Sequence, residues 1–108
     1  MIRDKKDLRV VYKYVLPTGG KTVITGWFTE ILTVQKQRNN IVLWAENSLS
    51  KYNEKYNTFF PREERDKIAL EIDVIGTGWD YENKDQKYIG TVQMDNGLVW
   101  HVYVKGIV

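Results

Sequence analysis

The chain has 108 residues, the size of one domain built on a single hydrophobic core. It carries 16 Lys and Arg against 14 Asp and Glu and no Cys, which excludes a disulfide framework and a thiolate metal site and argues against duplex nucleic acid as a partner. Apolar residues make up 43%, but no apolar run is long enough for a signal peptide or a membrane span, so we expect no membrane partner.

Alternating apolar and polar side chains predict β-strands through most of the chain, with turn residues between them. Pro17 and the glycines that follow it close the first strand. Residues 26–29 interrupt the pattern, so Trp27 and Phe28 are expected to be exposed on a loop. Residues 41–46 are apolar on both faces, which predicts a central or doubly covered strand. The seven predicted strands are residues 8–16, 21–25, 30–37, 41–46, 67–75, 87–94 and 98–104.

Two stretches depart from the strand pattern. Residues 1–7 are charged with mixed signs and indicate a flexible tail. Residues 47–66 are polar with aromatic islands, and three of their apolar positions have helical spacing, so this insertion is expected to be irregular or short-helical. The sequence therefore predicts one mainly β domain over residues 1–108. It would be a small antiparallel meander, barrel or sandwich of six to seven strands.

The Asn-Gly dipeptide at 96–97 is the strongest hairpin signal in the chain. A two-residue loop at this point would place Val92 opposite His101, and Gly90 opposite Tyr103. Both faces of this hairpin would then carry apolar side chains. We therefore expect a barrel wall, a second sheet or another subunit to cover one of them.

The glycine-rich turn after the fifth strand is the best candidate for ligand contact. Gly76, Thr77 and Gly78 do not form a phosphate-binding loop, because no Gly-Lys-Ser/Thr sequence and no helix pattern follow them. A bend at the end of the strand is the favoured interpretation. A weaker interpretation is functional: successive amides could hold an anion, while Trp79 and Tyr81 stack on a base.

Catalytic and metal-binding groups are sparse. His101 is the only His, and no carboxylate cluster accompanies it, so we predict no metal site and no cofactor. Ser48 and Ser50 lack the sequence context of a catalytic nucleophile. A hydrogen-bonded structural role is favoured for His101, with general acid-base chemistry left open. We therefore predict a protein without catalytic residues.

The cations that would meet a phosphate lie outside the glycine turn. Arg62 and Arg65 in the insertion could clamp a phosphate in a bidentate manner. Their acidic neighbours Glu63 and Glu64 could pair with them instead, which is the favoured interpretation of this segment taken alone. Together with Lys84, the two arginines complete the predicted ligand-binding set.

Several short sequences along the chain resemble, in order, a family of small, poorly characterised tailed-phage proteins. The family commonly continues its Gly-Thr-Gly sequence with His and Pro, whereas Trp79 and Asp80 follow here. The insertion is also longer than usual. The resembling pieces are Val11-Tyr-Lys-Tyr-Val-Leu16, Ile31-Leu-Thr-Val34, Val42-Leu-Trp-Ala45, Ile75-Gly-Thr-Gly78, Tyr88-Ile-Gly-Thr91 and Val99-Trp-His-Val102.

This resemblance implies a phage origin and expression in the cytoplasm of a bacterial host. Compact phage β proteins without enzyme motifs are frequently accessory factors that block host defences. Our hypothesis is therefore a non-enzymatic anti-defence protein, expected to be a homo-oligomer, that binds and sequesters a small nucleotide-derived immune signal. The alternative is a protein-binding inhibitor of a host defence factor or a small structural phage component. A nucleotide-cleaving enzyme that uses His101 ranks last.

Overall fold

Seven antiparallel strands in two sheets make up most of the described chain. A computed structural model describes residues 8–49, 68–82 and 85–106. The predicted mainly β domain is confirmed in the form of a sandwich. The strands are β1 (Val10–Leu16), β2 (Gly20–Gly26), β3 (Phe28–Gln37), β4 (Asn40–Asn47), β5 (Ile68–Gly76), β6 (Lys87–Gln93) and β7 (Val99–Lys105).

The two sheets differ in size and enclose one apolar core. One sheet has three strands in the order β1-β4-β3, and the other has four in the order β2-β5-β7-β6. β4 is the central strand of its sheet, as its apolar faces predicted. Burying each large aliphatic side chain contributes about 1.5–3 kcal/mol. The fully buried large side chains are Phe28, Ile41, Val42, Leu43, Leu70, Ile72, Val74 and Val102.

The structure describes only the first residues of the predicted insertion and none of the predicted tail. Asn47, expected to open the insertion, is the last residue of β4. Residues 50–66 of the predicted insertion and the predicted tail at 1–7 lie outside the described residues. No helical insertion occurs within the part of the chain that the structure describes.

The prediction that residues 26–29 form an exposed loop was wrong. β2 continues to Gly26 and β3 begins at Phe28, so only Trp27 separates two strands of different sheets. The chain crosses the sandwich here, and its aromatic side chains therefore turn inward: Trp27 is 8% exposed and Phe28 is fully buried. The Trp27 amide donates to Asn47 Oδ1 at 2.8 Å, which fixes the crossing to the end of β4.

Replacing Asn47 by Ala should destabilise the crossing. The buried Trp27 amide loses its side-chain acceptor, which costs about 1–3 kcal/mol of unfolding free energy. Urea denaturation compares this variant with Asn40→Ala, which changes an exposed Asn at the other end of β4. That control should lose ~0.5 kcal/mol or less. Equal losses in the two variants would show that the crossing does not depend on this hydrogen bond.

The hairpin between β6 and β7 has a three-residue loop rather than the predicted two-residue loop. The Gly97 amide donates to the Met94 carbonyl at 3.0 Å, and the Met94 amide donates to the Leu98 carbonyl at 2.8 Å. Gly97 has a φ of +86°, the left-handed value that closes such a loop after a tight turn. The extra loop residue shifts the register by one, so Thr91, not Val92, lies opposite His101.

This shift decides which side chains face the core. Val92 and Trp100 are paired and buried inside, whereas His101 lies on the outer face. Gly90 lies opposite Val102 rather than Tyr103, so the predicted cover of this glycine by a tyrosine was wrong. A Cβ at Gly90 would come within 2.7 Å of Val34 Cγ1 in the other sheet. The glycine therefore allows the two sheets to approach.

Candidate functional site

The outer face of the four-stranded sheet carries two rows of aromatic and polar side chains across β5, β7 and β6. In one row Ile75, His101 and Thr91 are neighbours. In the next row Tyr103 lies between Asp73 and Tyr88. The turn after β5 borders this face and forms a cleft of about 260 Å³, here called the turn pocket. Its lining residues are Ile75, Gly76, Thr77, Gly78, Trp79, Tyr81, His101 and Tyr103.

The glycine turn has a defined backbone geometry. The Trp79 amide donates to the Gly76 carbonyl at 3.1 Å, and Gly78 has a φ of +87°. A positive φ at this third position is the requirement of a type II turn. The Thr77 amide donates to the Val99 carbonyl at 3.2 Å. Of the Gly76–Gly78 amides predicted to hold an anion, that of Thr77 thus already has an acceptor within the protein, which weakens that interpretation.

Trp79 is held on one side and open on the other. A Cβ at Gly76 would lie 2.7 Å from the indole, and a Cβ at Gly19 would lie 2.9 Å from it, so both glycines admit the ring. The Trp79 and Trp100 rings meet edge to face with centroids 5.3 Å apart. Trp79 is nevertheless 53% exposed, as its loop position predicted. An indole fixed in this way loses little conformational entropy when a ligand stacks on it.

Three tyrosines, Tyr81, Tyr88 and Tyr103, continue from Trp79 across the sheet. Together with Trp79 they form what is here called the aromatic surface. The ring centroids of Tyr81 and Tyr103 are 5.3 Å apart, and those of Tyr88 and Tyr103 are 5.5 Å apart. The hydroxyls of Tyr81 and Tyr103 are 3.0 Å apart and hydrogen-bonded. Tyr81 is 46% exposed, as predicted for a loop aromatic. Sequence reasoning missed Tyr88 and Tyr103 as site residues, although both fell on one predicted strand face.

His101 takes part in a chain of side-chain hydrogen bonds on this face. Its Nε2 is 2.8 Å from Thr77 Oγ1, and its Nδ1 is 3.0 Å from Thr91 Oγ1. The Tyr88 hydroxyl contacts the same Thr91 oxygen. The donors and acceptors agree if Tyr88 donates to Thr91, Thr91 to Nδ1, and Nε2–H to Thr77. These bonds match the hydrogen-bonded strand His that the sequence favoured.

The loop that follows the glycine turn is attached to β5 a second time, through Gln86 near the end of the loop. The Gln86 amide donates from Nε2 to Asp73 Oδ2 at 3.2 Å, and Asp73 is buried under this contact. Because Asp73 is the strand neighbour of Tyr103, the anchor lies beside the aromatic surface. The loop is therefore fixed to β5 both at the glycine turn and at Gln86.

The contacts among Tyr81, Tyr88 and Tyr103 shift the pKa of Tyr103. The hydrogen bond to Tyr81, reinforced by partial burial and by the charges of Tyr81 and Tyr88, raises the pKa of Tyr103 above its ordinary value of 10.0. A raised phenol pKa means that the folded state keeps its proton longer than the unfolded state. This contribution to stability is complete below pH 10 and is lost as the pH rises through the folded pKa.

Tyr81→Phe should lower the pKa of Tyr103 towards its ordinary value of 10.0, because the largest cause of the increase is removed. The alkaline loss of stability should become smaller for the same reason. Titration of ¹³Cζ-labelled tyrosines by NMR measures this pKa directly. Tyr12→Phe, on β1 in the other sheet, is the control and should leave the Tyr103 titration unchanged. An unchanged Tyr103 pKa in Tyr81→Phe would contradict the assignment.

Comparison with known families covers nearly the whole chain. Residues 8–107 match the family described as a domain of unknown function, DUF7352. The chain belongs to this family. No curated protein and no solved structure matches the chain.

Five of the eight predicted ligand-binding residues of this DUF7352 domain line the turn pocket: Gly76, Thr77, Gly78, Trp79 and Tyr81. The predicted cations Arg62, Arg65 and Lys84 lie outside the described residues, so their phosphate role stays a prediction. In the described ranges, no group of three or more His, Cys, Asp or Glu side chains is arranged to hold a metal ion. None of the described segments is a helix long and apolar enough to cross a membrane.

Proposed function

We propose that this domain binds a small nucleotide-like ligand in the turn pocket and holds it without cleaving it. The observation that carries the proposal is the pair of exposed aromatic side chains at one pocket, Trp79 and Tyr81. Base-aromatic stacking contributes about 1–3 kcal/mol per base. The hydroxyls of Thr77 and Tyr103 and the ring of His101 add polar groups at the wall, which would orient the base or ribose.

The size of the pocket limits what it can enclose. Its volume of about 260 Å³ is below the roughly 300–1,000 Å³ of pockets that enclose drug-sized ligands. One base or nucleoside would fill it, and the rest of a larger nucleotide would extend beyond the rim. A second copy of the chain that covers this remainder would complete the site. We propose a homo-oligomer for this reason.

The phosphate part of the ligand requires cations from outside the pocket wall. The described lining contains neither Lys nor Arg, and Asp80 lies on the exposed turn beside it. We propose that Arg62, Arg65 and Lys84 supply the positive charge, with the Gly76–Gly78 turn as a minor contributor. Charge-reversal variants of these three residues should weaken a phosphate-bearing ligand more than its parent nucleoside.

The biological setting of the proposal rests on the resemblance to tailed-phage proteins. In that setting the domain acts in the cytoplasm of a bacterial host as an anti-defence factor. It would lower the free concentration of a nucleotide-derived immune signal, such as a cyclic oligonucleotide or a cyclic ADP-ribose derivative. Sequestration requires affinity and abundance, not turnover, which agrees with the choice of a binding rather than a catalytic function.

Isothermal titration calorimetry against a panel of cyclic nucleotides and ADP-ribose derivatives tests the proposal. We expect saturable heat with at least one compound, and recovery of that compound intact after the protein is denatured. His101→Ala should still leave the bound compound uncleaved. A folded sample that gives no heat with any compound would refute the binding proposal, and a chemically altered ligand would refute sequestration without cleavage.

A further inference from the structure

The loop between β6 and β7 is exposed over its whole length. Residues 95–98 are all exposed, in contrast to the buried Met94 that precedes them. Within this loop Asn96 is followed directly by Gly97. The side-chain amide of an Asn can be attacked by the main-chain nitrogen of the next residue, and a Gly at that position has no Cβ to obstruct the approach. The loop therefore contains both groups that this reaction requires.

The side-chain amide of Asn96, which would be attacked, is held in one orientation. Its Oδ1 accepts a hydrogen bond from the Leu98 amide at 3.0 Å. When a nucleophile attacks Cγ, negative charge develops on Oδ1, and a donor that is already placed at this oxygen stabilises that charge. The loop therefore favours attack at Asn96 Cγ.

The main-chain nitrogen of Gly97, which would attack, is blocked while the loop is closed. Its N–H donates to the Met94 carbonyl at 3.0 Å. A carbonyl oxygen is too weak a base to remove that proton, so the nitrogen reacts only after the hydrogen bond has opened and the proton has passed to water or hydroxide. Opening of one exposed hydrogen bond requires much less free energy than global unfolding. The closed loop thus slows the reaction without preventing it.

We propose that Asn96 is a site of spontaneous deamidation whose rate is set by the opening of the hydrogen bond between Gly97 and Met94. The Gly97 nitrogen forms a bond to Asn96 Cγ, the Cγ–Nδ2 bond breaks, and Nδ2 leaves as ammonia with a proton from water. The product is a succinimide ring. Water then adds to one of the two ring carbonyls and its proton passes to the nitrogen. Cleavage of the bond between nitrogen and Cγ gives Asp, and cleavage at the original main-chain carbonyl gives isoaspartate.

The two products differ in their effect on the hairpin. Asp keeps the length of the main chain and leaves a carboxylate oxygen for the Leu98 amide. In isoaspartate the main chain passes through Cβ and Cγ, which lengthens the loop by one atom. Val99 follows this loop directly, and its carbonyl accepts the Thr77 amide of the glycine turn at 3.2 Å. The isoaspartate form should therefore displace the glycine turn, whether or not the turn pocket binds a nucleotide.

Incubation of the folded domain in mildly alkaline buffer, followed by peptide mapping with mass spectrometry, tests the proposal. The reference is a capped synthetic peptide of residues 93–99, in which no hairpin protects the Gly97 amide. We expect Asn96 to react in both samples, ~10-fold or more slowly in the folded domain. Hydrogen exchange of the Gly97 amide in the same buffer measures the opening equilibrium. Its protection factor should agree with the slowing of deamidation to within about threefold, because both processes pass through the same open state.

Asn39 and Asn40 are the matched controls within the same chain. Both are exposed at the turn between β3 and β4, but neither is followed by Gly, so both should keep their amides over the same time. An unreactive Asn96 in the peptide would overturn the proposal. So would equal reaction at Asn39, a folded domain that reacts as fast as the peptide, or a slowing that does not follow the protection of Gly97.

A second measurement separates the two products by their effect on the fold. Asn96→Asp should leave the indole N–H NMR signal of Trp79 at its original position, because the main chain is unchanged. The purified isoaspartate form should shift this signal, since Trp79 is bonded to the glycine turn through its amide and the Gly76 carbonyl. An unshifted signal in the isoaspartate form would contradict the link between this loop and the turn pocket.

Discussion

Phe28→Ala should cost about 3–5 kcal/mol of unfolding free energy, the range for removing a buried Phe. Phe28 is fully buried where the chain passes from one sheet to the other, with its ring centroid 5.7 Å from that of Tyr14. A domain of this size has about 5–15 kcal/mol in total. The variant should therefore be close to unfolding at room temperature, as measured by urea denaturation and thermal melting.

The control for Phe28→Ala is Tyr12→Ala, an aromatic truncation on β1 at a side chain that is 50% exposed. It should lose about 1 kcal/mol or less. Phe28→Leu should fold and show a smaller loss than Phe28→Ala, since it keeps most of the apolar volume. If Phe28→Ala were no less stable than Tyr12→Ala, the inward placement of this residue would be contradicted.

Trp79→Ala should have the largest effect on ligand binding. Loss of one stacking partner costs about 1–3 kcal/mol, which raises Kd by ~5-fold to ~150-fold. The measurement is calorimetry with the tightest compound found in the nucleotide panel. Because Trp79 also packs edge to face on Trp100, the same sample is checked by urea denaturation and near-UV circular dichroism.

Trp44→Ala is the matched control for Trp79→Ala. Trp44 lies on the outer face of the other sheet, with Lys13 Nζ 5.9 Å from its ring centroid, and it does not line the turn pocket. Its replacement should leave ligand affinity unchanged. Equal loss of affinity in both variants would point to a general effect on the fold and would contradict stacking on Trp79.

The strands and their faces could be predicted because a half-buried strand has a period of two in its side chains. That pattern does not specify which strands are neighbours. The pairings of β1 with β4 and of β2 with β5 bring together segments that are distant in the sequence. Which strands pair depends on how the two sheets pack around one core. A short stretch of sequence carries no information about that packing.

Two local predictions failed for different reasons. Asn-Gly occurs in two-residue hairpins, but a glycine with positive φ also closes a three-residue loop, and the two differ by one residue of register. The irregular composition around Trp27 favoured a loop, although the acceptor that makes burial possible is Asn47, 20 residues later. In the second case the deciding partner lies outside the segment that was interpreted.

The site was predicted in part. Exposure of Trp79 and Tyr81 followed from their position in a loop after a strand. The tyrosines beside them were missed, because Tyr88 and Tyr103 become neighbours only through the register of β6 with β7. A bulge at Ile89 separates this pair from the pairs that follow it. The position of a bulge cannot be predicted from the alternation of apolar and polar residues. The contact between Tyr88 and Tyr103 therefore became evident only in the structure.

The strand order has a consequence for how fast the chain folds. Only β3 with β4 and β6 with β7 pair as consecutive strands; each of the other three pairings in the described sheets spans at least one intervening strand. Chain entropy must be lost before such distant contacts stabilise the structure. We therefore expect the two hairpins to form first and the complete sandwich to form slowly, in about milliseconds to seconds as for other β domains dominated by non-local pairings.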